Sequence, residues 1–298
     1  MKKDIVVVGA TGNLGGRICN ELVKRGASVR ALVRNTTDLE KVEFLRNQGV
    51  GVQVVAFDNV EEIAKACEGA NCMVSALAGL ADVIVDLQTR ILDGALKAGI
   101  SRFIPSDFCT DYNLLEPGNN RNFDLRRNFK DYLDSTSMRA SSIFNGAFAD
   151  ILKYNTPVLN LKDKSIGYWG DKKDWKLDFT TMDNTAAFTA EVALDNDAPR
   201  SLQIASFQIS PDELSANVQE ITGQSFRLNS LSSMEDFAVF IEKQRANDPA
   251  GEHELYAKWQ QSQYMYSMFS THHDQLENGR YKGIDWVNAR AYLETFIL

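Results

Sequence analysis

The chain has 298 residues, of which 44% are apolar and 24% charged. This is ordinary globular composition, which excludes a collagen, a long coiled coil and an extended disordered tail. Its 32 Lys and Arg stand against 40 Asp and Glu, a net charge of -8, and no basic stripe alternates with aromatics, so direct nucleic-acid binding is not expected. The longest apolar stretch, Cys72 to Val85, is interrupted by Ser75 and Asp82 and is too short to span a bilayer. Four cysteines, Cys19, Cys67, Cys72 and Cys109, form no CxxC pair and no zinc spacing. Reduced thiols, a cytoplasmic setting and no metal are the expectation.

The first half alternates strand and helix. The apolar run at Ile5 to Ala10 is too short for a leader core and reads as a first strand. Helical spacing of Leu14, Ile18 and Leu22 predicts a helix over Asn13 to Arg25, ended by Gly26. Next come a strand at Ser28 to Val33, a helix at Leu39 to Asn47 and a strand at Gly51 to Phe57. A helix at Val60 to Cys67, a strand at Cys72 to Leu77, a long helix at Val83 to Lys97 and a strand at Ser101 to Pro105 follow. Such alternation predicts a parallel sheet with helices on both faces.

After a turn-rich loop at Asp111 to Arg121, a helix is expected at Phe123 to Asp134 and a sixth strand at Arg139 to Phe144. The remainder is less regular. Ser165 to Trp169 and Lys176 to Thr180 read as two strands around a polar turn at Gly170 to Lys173. A helix is expected at Asn184 to Leu194 and a strand at Leu202 to Phe207. Ser210-Pro211-Asp212-Glu213 has the form of a helix start. Further helices are expected at Glu235 to Gln244, Glu254 to Phe269 and Trp286 to Phe296, with a hinge-like loop at Asn247 to Gly251.

The strongest chemical signal is Gly9-Ala10-Thr11-Gly12-Asn13-Leu14-Gly15-Gly16. Glycines at 9, 12 and 15 follow a strand and open a helix. One makes the tight turn, one admits a pyrophosphate and one lets helix and strand pack closely. Helix amides then hold the phosphate charge. The fold class is therefore α/β, a doubly wound parallel Rossmann sheet with a smaller C-terminal α+β substrate domain. An NAD(P)-binding Rossmann domain is assigned to residues 1–154 and a smaller substrate or interaction domain to 155–298, with the strand near 202–207 a candidate to rejoin the main sheet. Cofactor contacts are expected from Gly9, Thr11, Gly12, Asn13, Leu14 and Gly15.

About 20 residues past this turn, NAD-preferring sites carry an acid; here the residue is Arg34. A guanidinium pairs bidentately with a 2′-phosphate, so NADP(H) is the expected cofactor. A solvated surface charge is the alternative. Lys41 is a lesser candidate, and Arg30 reads as structural. Asp58 is placed either at the adenine edge or as a helix cap. Leu77-Ala78-Gly79 is a small-residue turn at a strand end where ligands pass, which makes Ala78 a cofactor contact.

GATGNLGG, VRALVR, RFIPSDF and NFDLRRNFKDYL together resemble the NmrA-like group of atypical short-chain dehydrogenases, which includes isoflavone reductase-like enzymes and NADP-binding regulators. The resemblance is specific over about the first 155 residues and weak beyond. It implies an NADP(H) binder with a Rossmann core and a small substrate domain. It places Ser106 and Phe108 in the loop bordering the nicotinamide, where Cys109 replaces the usual glycine and reads as a small buried hydrophobe. It places Arg126 at the family's lysine, the group of proton transfer or polarisation near the ring. A guanidinium stays charged near neutral pH and trades no proton, but it stabilises an oxyanion. Lys130, one helical turn on, is shifted by about 6 Å and is not expected to substitute. Asn145 is expected against the cofactor and Phe148 against the substrate, with turn and core duty as the alternative.

Tyr168-Trp169-Gly170-Asp171-Lys172 matches the Tyr-x-x-x-Lys spacing but lies in an expected turn, so it is read as accidental. His272 and His273 read as the surface end of a helix. Trp259, Tyr264, Met265, Met268 and Phe269 read as core or a self-association face, with a substrate lid as the alternative. Two functions are weighed. One is an NADP(H)-dependent oxidoreductase passing hydride to a quinone-like or conjugated carbonyl acceptor. The other is a non-catalytic NADP(H)-sensing regulator. Expected partners are a small-molecule substrate and either a second copy or a regulatory protein, with no membrane.

Overall fold

The computed structural model describes residues 2–297. The chain divides into two compact units: residues 1–108, 122–143 and 185–202, and residues 109–121, 144–184 and 203–298.

The first unit begins with strand β1 (Asp4–Val8), helix α1 (Asn13–Lys24), β2 (Ser28–Val33), α2 (Leu39–Asn47), β3 (Gly51–Val54), α3 (Val60–Cys67) and β4 (Cys72–Ser75). A wide π-helical turn, Asp82–Leu87, leads into α4 (Gln88–Lys97), followed by β5 (Arg102–Ile104), α5 (Arg121–Asp134) and β6 (Arg139–Ala140). The six strands lie in the order β3-β2-β1-β4-β5-β6, and every pairing is parallel. This is the doubly wound order that reverses beside β1. Ile5, Val6 and Val7 are fully buried, as a central strand covered on both faces requires. Val6, Ile63, Met73, Leu92, Phe103 and Phe129 share one core, and the Phe103 and Phe129 rings lie 6.1 Å apart.

β6 stops early. The Ser141 amide makes the last bond to the sheet, to the Phe103 carbonyl at 3.0 Å, and the Ser142 amide turns instead to the Arg200 carbonyl at 2.8 Å. The expected single strand at 139–144 is therefore two, β6 and β7 (Ser142–Phe144), and β7 pairs with β11 (Ser201–Gln203) in a separate ladder. Residues 185–202 are tied to the rest of the first unit by two arginines. The Arg102 guanidinium, 4% exposed, donates to the Val192 carbonyl at 2.9 Å, and Arg25 meets Glu191 at 2.7 Å. A cation suits the carboxyl end of a helix, where carbonyls lack partners.

The second unit contains β8 (Ala147–Phe148), β9 (Ser165–Tyr168), β10 (Leu177–Thr180), β12 (Phe207–Ile209), α7 (Pro211–Thr222), β13 (Arg227–Ser230), α8 (Met234–Ala246), α9 (Lys258–Ser270) and α10 (Ala289–Ile297). Helix α6 (Met182–Leu194) starts in it and ends in the first unit. β9 and β10 are not partners of each other. β9 pairs in parallel with β13, while β10 lies between β12 and β8. The expected strand at 202–207 is also two pieces, because 201–203 bonds to β7 and 207–209 to β10. Helix α7 starts where expected, on a capping box: Ser210 Oγ accepts from the Glu213 amide at 3.2 Å, and the Ser210 amide donates to Glu213 Oε2 at 2.9 Å. Trp169 stacks on Phe237 with centroids 4.3 Å apart.

Helix α9 is core. Trp259 and Phe269 are fully buried, and so is a polar seam: Gln260 Nε2 donates to Asn120 Oδ1 at 2.9 Å, and the Arg121 amide donates to Gln263 Oε1 at 3.0 Å. The loop at 247–251 is held rather than hinged. It forms a short 3₁₀ turn, Pro249–His253, whose Gly251 and Glu252 carbonyls accept from Arg121 Nη1 at 3.1 Å each. His273 corrects the sequence reading. It is 1% exposed, and its amide donates to Asp178 Oδ2 at 2.8 Å. The chain after α9 folds back beneath β10, which adjacency in sequence does not reveal. Burial pushes the His273 imidazole pKa down and the Asp178 carboxyl pKa up.

Asp134, at the end of α5, binds Lys130 at 2.6 Å and Arg200 at 2.8 Å. Its partial burial favours protonation, but the two cations outweigh that and hold its pKa below the usual value. A lowered folded pKa stabilises above the unfolded value and is lost as pH falls through the folded one. The Asp134 side chain is 38% exposed, so the contribution is small, about 0.5–1 kcal/mol. Asp134→Asn should lower urea stability by that amount at pH 7, and the difference should vanish as pH falls well below 4, about the unfolded value.

Candidate active site

Gly9 holds φ +81°, a conformation that L side chains rarely adopt, and a Cβ there would lie 2.4 Å from the Ala76 carbonyl. The Gly12 amide closes the turn on the Gly9 carbonyl at 2.9 Å. At Gly15 a Cβ would stand 2.2 Å from that same carbonyl. Only hydrogen fits, so α1 lies directly against the end of β1. Gly12 is the N-cap of α1, and no side chain caps the helix or places an acid in its first turn. The open amides and the helix dipole form an anion site.

A crevice of about 570 Å³ borders this turn, with Thr11, Gly12, Asn13 and Arg17 on one side and Lys41 and Phe44 on the other. Arg34 is exposed immediately after β2. Arg30 is structural: it meets Asp4 at 2.8 Å and donates to the Ala66 carbonyl at 2.6 Å. Asp58 is exposed and does not cap α3. The cap is Asn59, whose Oδ1 accepts from the Glu61 amide at 3.0 Å. Ala78 is exposed in the turn after β4. Sequence reasoning passed over Ser75, which ends β4 in register with Val8. It is fully buried and its hydroxyl has no partner. A polar residue closing an apolar parallel strand was the signal available, since ligands of such sheets lie at the carboxyl ends of the strands. The uncapped α1 terminus and this orphaned hydroxyl fit a bound dinucleotide.

The loop after β5 is fixed at several atoms. Ser106 is 3% exposed. Its hydroxyl donates to the Leu77 carbonyl, its amide donates to Gln88 Oε1 at 3.1 Å, and its carbonyl accepts from Arg126 Nε at 3.0 Å. Arg126 Nη1 donates to the Asn122 carbonyl at 2.8 Å. The next residue, Asp107, accepts from Ser142 Oγ at 2.7 Å, and Arg200 donates to that hydroxyl at 2.6 Å. Phe108 is buried. Lys130, the alternative to Arg126, is engaged with Asp134.

In the second unit, the Asn145 amide donates to the Cys109 carbonyl at 3.0 Å, and its carbonyl accepts from Thr180 Oγ1 at 2.6 Å. Its side chain is fully buried, and neither polar atom of the carboxamide is bonded. Phe148 is half-buried. Tyr168 lies in β9, and the Lys172 ammonium sits 3.7 Å from the Trp175 ring centroid, so these two make no helical Tyr-Lys pair. All four cysteines are buried, and none is in a disulfide. Burial pushes Cys19 and Cys67 up to about 12 and Cys72 up to about 11, so none of these three is a thiolate near neutrality. Among the described residues no three His, Cys, Asp or Glu are placed to hold a metal, and no helix is long and apolar enough to cross a membrane.

The sheet order, the glycine turn and the uncapped α1 terminus define a Rossmann protein built for a dinucleotide. The chain belongs to the NmrA-like family, which matches residues 1–293. It is 23% identical over 314 residues to bifunctional pinoresinol-lariciresinol reductase 1 of Linum usitatissimum, with 98% of each chain covered. Among solved structures, an isoflavone reductase superposes with a TM-score of 0.83 at 18% identity, covering 99% of this chain and 100% of that one. AtPrR2 with NADP+ and (+)pinoresinol superposes with a TM-score of 0.80 at 21% identity, covering 99% of both. At these identities the superpositions establish the fold.

Gly15→Ala tests the packing that aims α1. The Cβ has no room, and overpacking of this kind costs about 1–3 kcal/mol. Thermal unfolding should show that loss, and titration with NADPH should show weakened binding in the fraction that folds.

Proposed function

We propose that this chain is an NADPH-dependent reductase that delivers hydride to a quinone-like or conjugated carbonyl acceptor. The observation that carries the reading is the uncapped start of α1 at Gly12, followed at the end of β2 by a basic rather than acidic residue, Arg34. The relatives support it, because one is a pinoresinol-lariciresinol reductase and one neighbour was solved with NADP+ and (+)pinoresinol.

The residues divide the work by chemistry. Amides from Asn13 to Gly15 hold the pyrophosphate. Arg34, assisted by Lys41, pairs with the 2′-phosphate. The Ser75 hydroxyl and the Ala78 turn border the ligand at the end of β4, and Asp58 is assigned to the adenine edge. Asn145 brings an unbonded carboxamide, which offers both a donor and an acceptor. NADPH, when bound, supplies the hydride, and the protein orients the partners. Arg126 stays cationic and stabilises negative charge on the acceptor oxygen. The proton then comes from water, because a guanidinium does not release one near neutral pH. Ser106 serves through its carbonyl, which orients Arg126, and Phe108 and Phe148 supply apolar contact to the acceptor.

One observation favours a second reading, an NADP(H)-sensing regulator. Arg126 commits Nε and Nη1 to backbone carbonyls, which is how a purely structural arginine is held. The deciding experiment follows NADPH oxidation by the purified protein with a panel of quinones and enones. Turnover establishes the reductase. Tight NADPH binding without turnover on any acceptor supports the sensor.

Arg34→Ser should weaken NADPH about 10–100-fold while leaving NADH nearly unchanged, since only the 2′-phosphate contact is lost. Isothermal titration with both nucleotides checks this. Arg126→Ala should lower kcat at least tenfold with the NADPH dissociation constant unchanged, as expected for a group that acts on developing charge. Steady-state kinetics and NADPH fluorescence titration read the two quantities separately.

A further inference from the structure

Gln88 belongs to none of the groups assigned so far, yet it sits where three pieces of the first unit meet. It is the first residue of α4, directly after the π-helical turn Asp82–Leu87, and it is 1% exposed. A π-turn widens the helix and disturbs its regular ladder of carbonyls. Gln88 Nε2 fills part of that gap by donating to the Ile84 carbonyl at 3.0 Å. The bond leaves the amide one orientation: with Nε2 turned to a carbonyl, Oε1 faces the other way. There it accepts from the Ser106 amide at 3.1 Å. Ser106 in turn accepts at its carbonyl from Arg126 Nε at 3.0 Å. The chain of contacts thus runs from the π-turn through one buried side chain to the Pro105–Ser106 peptide unit, whose Pro105 carbonyl accepts from the Asp107 amide at 2.9 Å, and on through the Ser106–Asp107 unit to the guanidinium.

We propose that Gln88 is a positioning residue, which sets the aim of Arg126 by fixing the Pro105–Ser106 peptide unit, to which the next unit, the one carrying the Ser106 carbonyl, is tied. This rests on the reading of Arg126 as the group that meets the acceptor oxygen. Ser106 is buried, so without Gln88 its amide loses its partner, and the Pro105–Ser106 unit must rotate or shift to find another. Rotation of that unit swings the Pro105 carbonyl away from the Asp107 amide that donates to it at 2.9 Å, and so releases the Ser106–Asp107 unit, whose carbonyl accepts from Arg126 Nε. The hydroxyl bond from Ser106 to Leu77 restrains the residue but leaves the peptide plane free to turn.

The test uses the full chain with NADPH bound. Gln88→Met keeps the volume and removes both hydrogen bonds. Hydrogen exchange at Arg126 Nε–H, followed by side-chain 15N NMR, should become about tenfold faster, the scale set by losing one hydrogen bond. Turnover should fall in kcat, with the NADPH dissociation constant and the acceptor KM unchanged. Combined with Arg126→Ala, Gln88→Met should add almost nothing. Gln88→Glu is the second variant. Its carboxylate still accepts from the Ser106 amide but repels the Ile84 carbonyl, and once protonated it makes both bonds. Its Arg126 exchange should therefore return toward the wild-type rate as pH is lowered.

Unchanged Arg126 Nε–H exchange in folded Gln88→Met overturns the proposal, and so does full multiplicativity with Arg126→Ala. If Met at this position prevents folding, the absence of pH rescue in Gln88→Glu overturns it equally. Faster exchange, with turnover insensitive to Arg126→Ala, would sink the oxyanion role of Arg126 and leave the hold of Gln88 on the guanidinium standing.

Discussion

The first unit depends on the contact between the Gly9 carbonyl and Gly15. With a Cβ at Gly15 the two would overlap at 2.2 Å, so α1 lies against β1 only because neither residue carries a side chain. That closeness places the amides of Asn13, Leu14 and Gly15 at the carboxyl edge of the sheet. Their positive end points toward the edge where β1, β2 and β4 all finish. The other proposed cofactor contacts in this unit follow strands of the same sheet, Arg34 after β2, Asp58 after β3, Ser75 at the end of β4 and Ala78 just beyond it, with Lys41 added from α2. A helix displaced outward by the width of a methyl group would leave the same residues without a common focus.

A second layer of order comes from buried charge and polarity in the loop after β5. Gln88 and Leu77 hold Ser106, while Ser142, its hydroxyl held in turn by Arg200, holds Asp107. The loop is thereby pinned by residues from four separate stretches of chain. Leaving any one of these buried groups unbonded costs more than its bond contributes when made, so the arrangement is stiff. Stiffness here matters for the role proposed for Arg126, since a cation that acts on developing charge depends on fixed placement rather than on proton exchange. In the second unit the same principle appears around Arg121. Its guanidinium gathers the Gly251 and Glu252 carbonyls and lies 4.6 Å from the Trp259 ring centroid, which turns a loop with the composition of a hinge into a held one.

Much of this was legible in the residues. The parallel strands are apolar on both faces, the helices carry amphipathic spacing, and the glycine turn has a local geometric cause, so Ser28–Val33, Leu39–Asn47 and Val60–Cys67 fall where the pattern puts them. The capping box at Ser210 is also local, because its four residues satisfy one another. The errors lie where the partner is distant. Residues 139–144 read as one strand, since alternation does not reveal that Ser142 leaves β5 for Arg200. Residues 202–207 read as one strand because the change of partner from β7 to β10 is not written in hydropathy. His273 read as surface because a histidine pair after a helix gives no sign of the carboxylate that waits for its amide.

What the sequence by itself determined is therefore the class: a doubly wound sheet, a phosphate-binding turn and a basic residue where NAD sites carry an acid. Each rests on contacts within about 30 residues of chain, the span of a βαβ unit. What only the tertiary structure decided is how the polar side chains are spent. Ser75 is left unbonded, Gln88 is turned toward Ser106, and Arg126 is anchored to two carbonyls. Hydrogen-bond partners of buried groups are chosen by three-dimensional neighbourhood, and no residue pattern marks Gln88 for Ser106 or Ser106 for Arg126, which become neighbours only once α4, α5 and the loop after β5 have packed.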